Sequence, residues 1–152
     1  MNVIENQQLW FDSVLSYRTR VEKASLVMLI KHVWDNIETL GLEATDNVVL
    51  SVNEEIFEED KTILGVEVIV PIDKPFSSNI HYVFKPYFKL ENAVLLKYSG
   101  KASELPQAGR ELCEYAVNKH FSVLTNVYYY IKQLSGEDVV ANAYVGINGN
   151  RL

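Results

Sequence analysis

The sequence predicts an α+β fold in which a strand–helix–strand–strand (βαββ) unit is written twice. Val66–Ile72, VEVIVPI, is answered by Ala141–Ile147, ANAYVGI, and Val70-Pro71-Ile72 falls on Val145-Gly146-Ile147 at a spacing of 75 residues (145 − 70). Each run is short, alternates and then stops, which is how a half-buried strand closing a module reads. At an offset of 79 (126 − 47), Asn47-Val48 falls on Asn126-Val127, Leu42 on Phe121, Ile37 on Ala116 and Trp34 on Cys113; at an offset of 80, Val14-Leu15 falls on Val94-Leu95. A fixed order at a nearly fixed period is hard to obtain from unrelated segments. Two strand candidates follow the second helix, where a ferredoxin-like domain has one.

Residues 9–17 alternate as a strand, with Leu9, Phe11, Ser13, Leu15 and Tyr17 on one face and Trp10, Asp12, Val14 and Ser16 on the other. Both faces carry apolar residues, so burial on more than one side is expected, and Arg18-Thr19-Arg20 interrupts the run. From about Ser25 to Leu40 the period becomes helical: Leu26, Leu29, Ile30, Val33, Ile37 and Leu40 form the stripe, and Gly41 stands where a left-handed cap is wanted. Trp34 flanks that stripe as a core residue. Strand 47–52 follows, then an acidic connection over 53–60, then Gly65 opening VEVIVPI. The Pro-rich stretch 73–78 is the linker, short enough that the halves pack on each other.

The second unit repeats the order. His81–Phe88 is aromatic and broken by Pro86, and Ala93–Tyr98 is a strand ended by Gly100. Ser103 is read as an N-cap with Pro106 in the first turn, before a helix carrying Leu105, Ala108, Leu112, Cys113 and Ala116. Strand 126–131, a turn at 135–138 and strand 139–147 complete it. The chain thus reads as one domain over 1–152 with repeat halves of about 7–73 and 81–148.

Composition narrows the function classes. Apolar content of 48% and charged content of 22% are those of a soluble globular domain, and 152 residues suffice for one sizeable core. A net charge of −6 disfavours nucleic acid or an anionic membrane as partner, because both need a basic face. No apolar run approaches a membrane span, the polar N-terminus is not a secretion signal, and a single cysteine makes no internal disulfide, so cytoplasmic residence is expected. No Cys-x-x-Cys, His-x-x-x-His, phosphate-cradling glycine loop or Gly-x-Ser-x-Gly occurs, so neither a metal nor a cofactor is expected. The acidic run Glu54, Glu55, Glu58, Glu59, Asp60 lacks the glycine of a calcium loop and reads as a solvated, mobile connection.

Through VEVIVPI, AVLLKYSG, the helix opening Ser-Glu-Leu-Pro, TNVYYYI and ANAYVGI, nearly the whole chain resembles the GyrI-like superfamily, and more narrowly its stand-alone effector-binding-like proteins of Gram-positive bacteria. The resemblance implies two βαββ modules joined in one antiparallel sheet with two helices, leaving a groove at a pseudo-twofold junction. It implies binding of cationic or amphipathic small molecules by aromatic side chains and a buried glutamate, inhibition of a partner protein, or hydrolysis. No helix-turn-helix segment is read, so a complete transcription regulator is not expected. Glu67 holds the glutamate's position in the first closing strand; Asn142 holds it in the second.

The candidate ligand-binding residues are therefore Glu67, Tyr130, Tyr144, Trp10 and Asn142. Glu67 is out of phase with Val66, Val68 and Val70 and faces away from what they bury. It is either a pocket carboxylate for a cation or, the weightier reading, a solvent-facing residue with a cross-strand partner. Tyr128 and Tyr130 share one face and Tyr129 takes the other, for core packing. Cys113 reads as a buried small apolar residue and His32, His81 and His120 as isolated. No catalytic residue emerges, since one carboxylate does not make a hydrolytic mechanism. The leading expectation is a small-molecule binding domain with a groove between the halves. The alternative is a protein-interaction, accessory or inhibitor module, associated through the resemblance with a secretion or toxin system. Long apolar strand faces also permit a homodimer.

Overall fold

The computed structural model describes residues 3–148. Strand β1 (Val3–Glu22), helix α1 (Leu26–Thr39), β2 (Val49–Glu58) and β3 (Lys61–Pro71) form the first βαββ unit. Strand β4 (Tyr82–Lys101), helix α2 (Leu105–Asn118), β5 (Val123–Ser135) and β6 (Asp138–Ile147) form the second. The strands close an antiparallel barrel in the order β1-β3-β2-β5-β6-β4.

The duplication is exact in register over most of its length. The helices start 79 residues apart (105 − 26), each after a 3-10 turn, Lys23–Ser25 or Ala102–Glu104. Each is followed by a left-handed residue, Gly41 (φ 77) or His120 (φ 62). Where the halves meet, the pairings map onto themselves. Leu50 faces Tyr129 on the β2–β5 seam and Trp10 faces Lys89 on the β1–β4 seam, both at that same offset. A pseudo-twofold axis therefore passes through both seams, exchanging Val49↔Tyr130 with Ser51↔Tyr128 and Leu9↔Leu90 with Phe11↔Phe88. The closing strands keep the spacing of 75: Val14↔Pro71 corresponds to Ala93↔Gly146. Val14 thus matches Ala93, and the offset of 80 read from Val14-Leu15 is one residue too long.

Each strand of the central sheet has two faces with different neighbours. One packs on the helices. α1 buries Leu26, Val27, Ile30, Val33 and Ile37, and α2 buries Leu105, Ala108, Leu112 and Ala116. They meet Val66, Val68 and Val70 of β3 and Ala141, Ala143 and Val145 of β6. Burying a Val or Leu side chain in such a layer contributes about 1.5–3 kcal/mol, so this layer sets the phase of both closing strands. Glu67 and Ile69 must point the other way.

The other face is roofed. Among the described residues, 3–13 of β1 pair only with β4 and 82–92 of β4 only with β1, and Leu9–Asp12 meet Tyr87–Leu90 as a two-stranded ribbon. This two-stranded ribbon crosses over the sheet on the side away from the helices. Leu9 and Leu90 point down from it, with Phe11 and Phe88, onto Val49, Ile69, Leu95 and Tyr144 of the sheet.

Several elements depart from the sequence reading. β1 runs on through Arg18-Thr19-Arg20, because a barrel strand can expose one face to water while its partner β3 holds the ladder. β4 continues through Pro86, where it is paired along one edge only and tolerates a missing N–H, and past Gly100, which pairs with Val139 of β6. The acidic run is not a loose connection but the end of β2 and its turn into β3. Ser103 does not cap α2: it lies in the 3-10 turn, and Glu104 occupies the N-cap without a side-chain bond. Trp34 is 42% exposed at the edge of the α1 stripe, over a groove between α1 and β5, and is not a core residue.

Candidate functional site

The layer between ribbon and sheet is aromatic. Phe11 stacks on Tyr130 at 6.3 Å between ring centroids and 6° between planes, and Phe88 meets Tyr128 edge-on at 4.8 Å and 72°. The two phenylalanines are 6.4 Å apart. Tyr144 pairs with Tyr128 on the neighbouring strand and is 8% exposed. The groove expected at the junction of the halves is thus covered by the ribbon and filled with rings. Tyr130 Oη, at the rim, donates to Asp46 Oδ1 at 2.6 Å. Burial and that carboxylate together push its phenol up to about 12, so it stays a donor through the physiological range.

One corner of this layer is polar. Glu67 is 5% exposed, which overturns its reading as a solvent-facing residue. Its Oε2 accepts from Lys85 Nζ at 2.8 Å and from Ser16 Oγ, and its Oε1 lies 3.7 Å from the Arg18 guanidinium. Burial alone would raise the carboxyl, but the hydrogen bonds from Lys85 and Ser16 and the charges of Lys85 and Arg18 outweigh it and hold it below its ordinary value. Ser51, opposite Glu67 on β2, is 1% exposed, and its Oγ has no hydrogen-bond partner among the described residues.

Four of the five residues singled out from the sequence share this inner face. Glu67 and Tyr144 are buried there, Tyr130 is half-buried, and Asn142 pairs with Tyr130 at the corner opposite Glu67. Trp10 does not join them. It is 58% exposed on the outer side of the ribbon, with the Lys89 ammonium 4.9 Å from its ring centroid. The strand phase assumed for β1 misled here. Ser13 takes φ 53, so the inward set shifts from Leu9 and Phe11 to Val14 and Ser16. That single left-handed residue hid Ser16, and the break assumed at Pro86 hid Lys85 and Phe88. Ser51 carried no sequence signal beyond its place opposite Glu67.

Outside the ribbon, an open groove of about 800 Å³ is lined by Trp10, Asp12, Tyr87, Leu90, Leu124 and Gly146 among others. Cys113 is half-buried, and burial pushes its thiol up, away from a reactive thiolate. No cluster of three or more metal-ligating side chains occurs among the described residues, and no described helix is long and apolar enough to cross a membrane.

No protein-family model matches the chain, and neither does any curated protein sequence. Solved structures do. EcmrR in its complex with DNA superposes with a TM-score of 0.72 at 14% identity over 96% of this chain, which spans 56% of that protein's length. The EcmrR C-terminal domain gives 0.67 at 13% identity, covering 97% of this chain and 99% of that one. SAV2435 bound to tetraphenylphosphonium gives 0.52 at 11% identity, covering 96% and 95%. With the duplicated βαββ order and both seams on one pseudo-twofold axis, these likenesses identify the fold of the chain as GyrI-like.

Proposed function

We propose that this protein is a bacterial cytoplasmic binding protein that takes an aromatic, apolar or cationic small molecule between ribbon and sheet. Glu67 supplies the charge, Tyr130 and Tyr144 line the space with Phe11, Phe88 and Tyr128, and Asn142 marks its far corner. The observation that carries this reading is the buried Ser51 hydroxyl without a partner, set beside a buried carboxylate in an otherwise aromatic interior. A hydroxyl left unsatisfied in such a place costs about 1–3 kcal/mol, and alanine would fill it at less cost. A ligand with a hydrogen-bonding group gives Ser51 a partner, and one with a cationic centre gives the Glu67 carboxylate a further charge to face, while its rings replace the aromatic contacts already there. That SAV2435 has been seen with tetraphenylphosphonium supports the size and charge class.

The test is calorimetric titration with tetraphenylphosphonium and a panel of aromatic cations and neutral aromatics. Trp10 and Trp34 both lie outside the chamber, so tryptophan emission is a poor reporter. Saturable one-site binding is expected, weakened about tenfold or more by Glu67→Gln, the loss of one charge-assisted contact. No saturable binding from any of the panel would defeat the reading.

A second reading, a protein-interaction or inhibitor module without a small-molecule ligand, is favoured by the outer groove. Trp10, Tyr87 and Leu124 stand 58, 62 and 66% exposed there, and exposed aromatics are the usual anchors of protein interfaces. A stoichiometric partner lost on Trp10→Ala and Tyr87→Ala, with the chamber unresponsive to ligands, would favour it. Neither reading gives nucleic acid a role, since acidic residues outnumber basic ones 20 to 14.

A further inference from the structure

Glu67 already holds a cation of the protein's own. Lys85 Nζ and Ser16 Oγ both donate to Oε2, whereas Oε1 has only the mostly exposed Arg18 at 3.7 Å. The half-turn that relates the two units carries Glu67 onto Asn142, Ser16 onto Leu95 and Lys85 onto Gln7, which pairs with Ala93 as Lys85 pairs with Val14. At that second corner no ion pair is found among the described residues, and the barrel closes all the same. Closure of the fold therefore does not require the pair, and a buried ion pair is in general worth little over apolar side chains of similar shape.

The two partners also differ in how they are held. Glu67 sits in β3, which is paired on both edges, by β1 and by β2. Lys85 comes from the ribbon, next to Pro86, with 35% of its side chain exposed. A long lysine stem with its head near water leaves a site by rotation alone. Glu67 has no such freedom.

We propose that the Lys85 ammonium is a tethered stand-in for the ligand's cation, displaced from Glu67 when a lipophilic cation binds. The inference rests on the chamber reading above and adds its selectivity. A cation must offer enough aromatic surface to compensate for breaking the resident pair, so small hydrophilic cations such as ammonium or choline are excluded. A competitor that holds the site about nine-tenths of the time lowers apparent affinity about tenfold.

Titration of wild type, Lys85→Met, Lys85→Gln and Glu67→Gln/Lys85→Met with tetraphenylphosphonium, and with the isosteric anion tetraphenylborate, tests this. Both single variants are expected to bind the phosphonium about tenfold more tightly than wild type, with no gain for the borate and none in the double variant. In unmodified protein, acylation of Lys85 followed by mass spectrometry is expected to rise at saturating phosphonium. Folded Lys85 variants that bind no tighter, or an acylation rate unmoved at saturation, overturn the role of Lys85 while wild-type binding and its loss in Glu67→Gln leave the chamber intact. If neither wild type nor the Lys85 variants bind any cation, the chamber reading fails and this inference with it.

Discussion

Glu67 is ionised in spite of its burial, and this makes its contribution to stability depend on pH in a definite direction. Its folded pKa lies below the ordinary 4.5 because Lys85, Ser16 and Arg18 together overcome desolvation. A depressed carboxyl stabilises the fold above its unfolded pKa and loses that contribution as pH falls through the folded one. Glu67→Gln removes the charge and leaves Lys85 without its counter-ion; because Lys85 can turn to solvent, the expected loss is about 1–2 kcal/mol at pH 7, short of the cost of a fully buried orphan charge. Urea unfolding of wild type and variant from pH 7 to pH 3 measures it. The gap should narrow once pH drops below 4.5 and the wild-type carboxyl takes up its proton. A gap that is constant over that range would mean Glu67 contributes by shape and not by charge. Replacing both partners, as in Glu67→Gln/Lys85→Met, should recover most of the loss.

At the scale of elements, the two helices are seated by opposite solutions to one packing problem. Tyr129 is fully buried on the helix side of β5, and its hydroxyl lies against the backbone of α2 at Gly109, where an added Cβ would come within 2.2 Å of Oη. The pseudo-twofold mates of Gly109 and Tyr129 are Ile30 and Leu50, both buried. A large residue on the helix over leucine in one half is exchanged for no side chain over tyrosine in the other. Gly109→Ala gains up to about 1 kcal/mol of helix propensity. It also drives a methyl into a ring that cannot move, an overpacking cost of about 1–3 kcal/mol. Thermal or urea denaturation should show net destabilisation, and less of it in a Tyr129→Phe background, where the colliding oxygen is gone. Equal effects in both backgrounds would place the strain elsewhere. The same comparison shows what was legible in sequence. Periodicity revealed both helices, because a buried stripe repeats whatever the residues are, and the inward tyrosines of β5 followed from simple alternation. Alternation failed where one residue breaks the pleat, at Ser13. It also failed where exposure on one face let Arg18-Thr19-Arg20 and Pro86 stand inside strands. Those two failures removed Ser16 and Lys85 from the site.

The molecule as a whole divides into a part held on every side and a part held on one. The closing strands β3 and β6 pair on both edges and pack on the helices. The ribbon of residues 3–13 and 82–92 is paired along a single edge. Its ladder is broken by register shifts between Ile4 and Leu9, by the left-handed Asn6 (φ 59) and Ser13 (φ 53), and by the missing N–H of Pro86. Cooperative units with few shared hydrogen bonds open at lower free energy than the globally protected core. The ribbon also covers the aromatic layer, so under the proposed binding role its opening would be the route by which a ligand reaches Glu67. Native-state amide exchange should therefore find the hydrogen-bonded amides within Leu9–Asp12 and Tyr87–Leu90 exchanging by sub-global opening. Those of Val66, Val68, Ala143 and Val145 should exchange only by global unfolding. Saturating tetraphenylphosphonium should slow the first group more than the second, because a ligand beneath the ribbon stabilises the closed state selectively. Ribbon amides as protected as the core in the free protein would mean that the barrel opens only as a unit, and a ligand would then have to gain the chamber through its rim beside Tyr130 and Asp46.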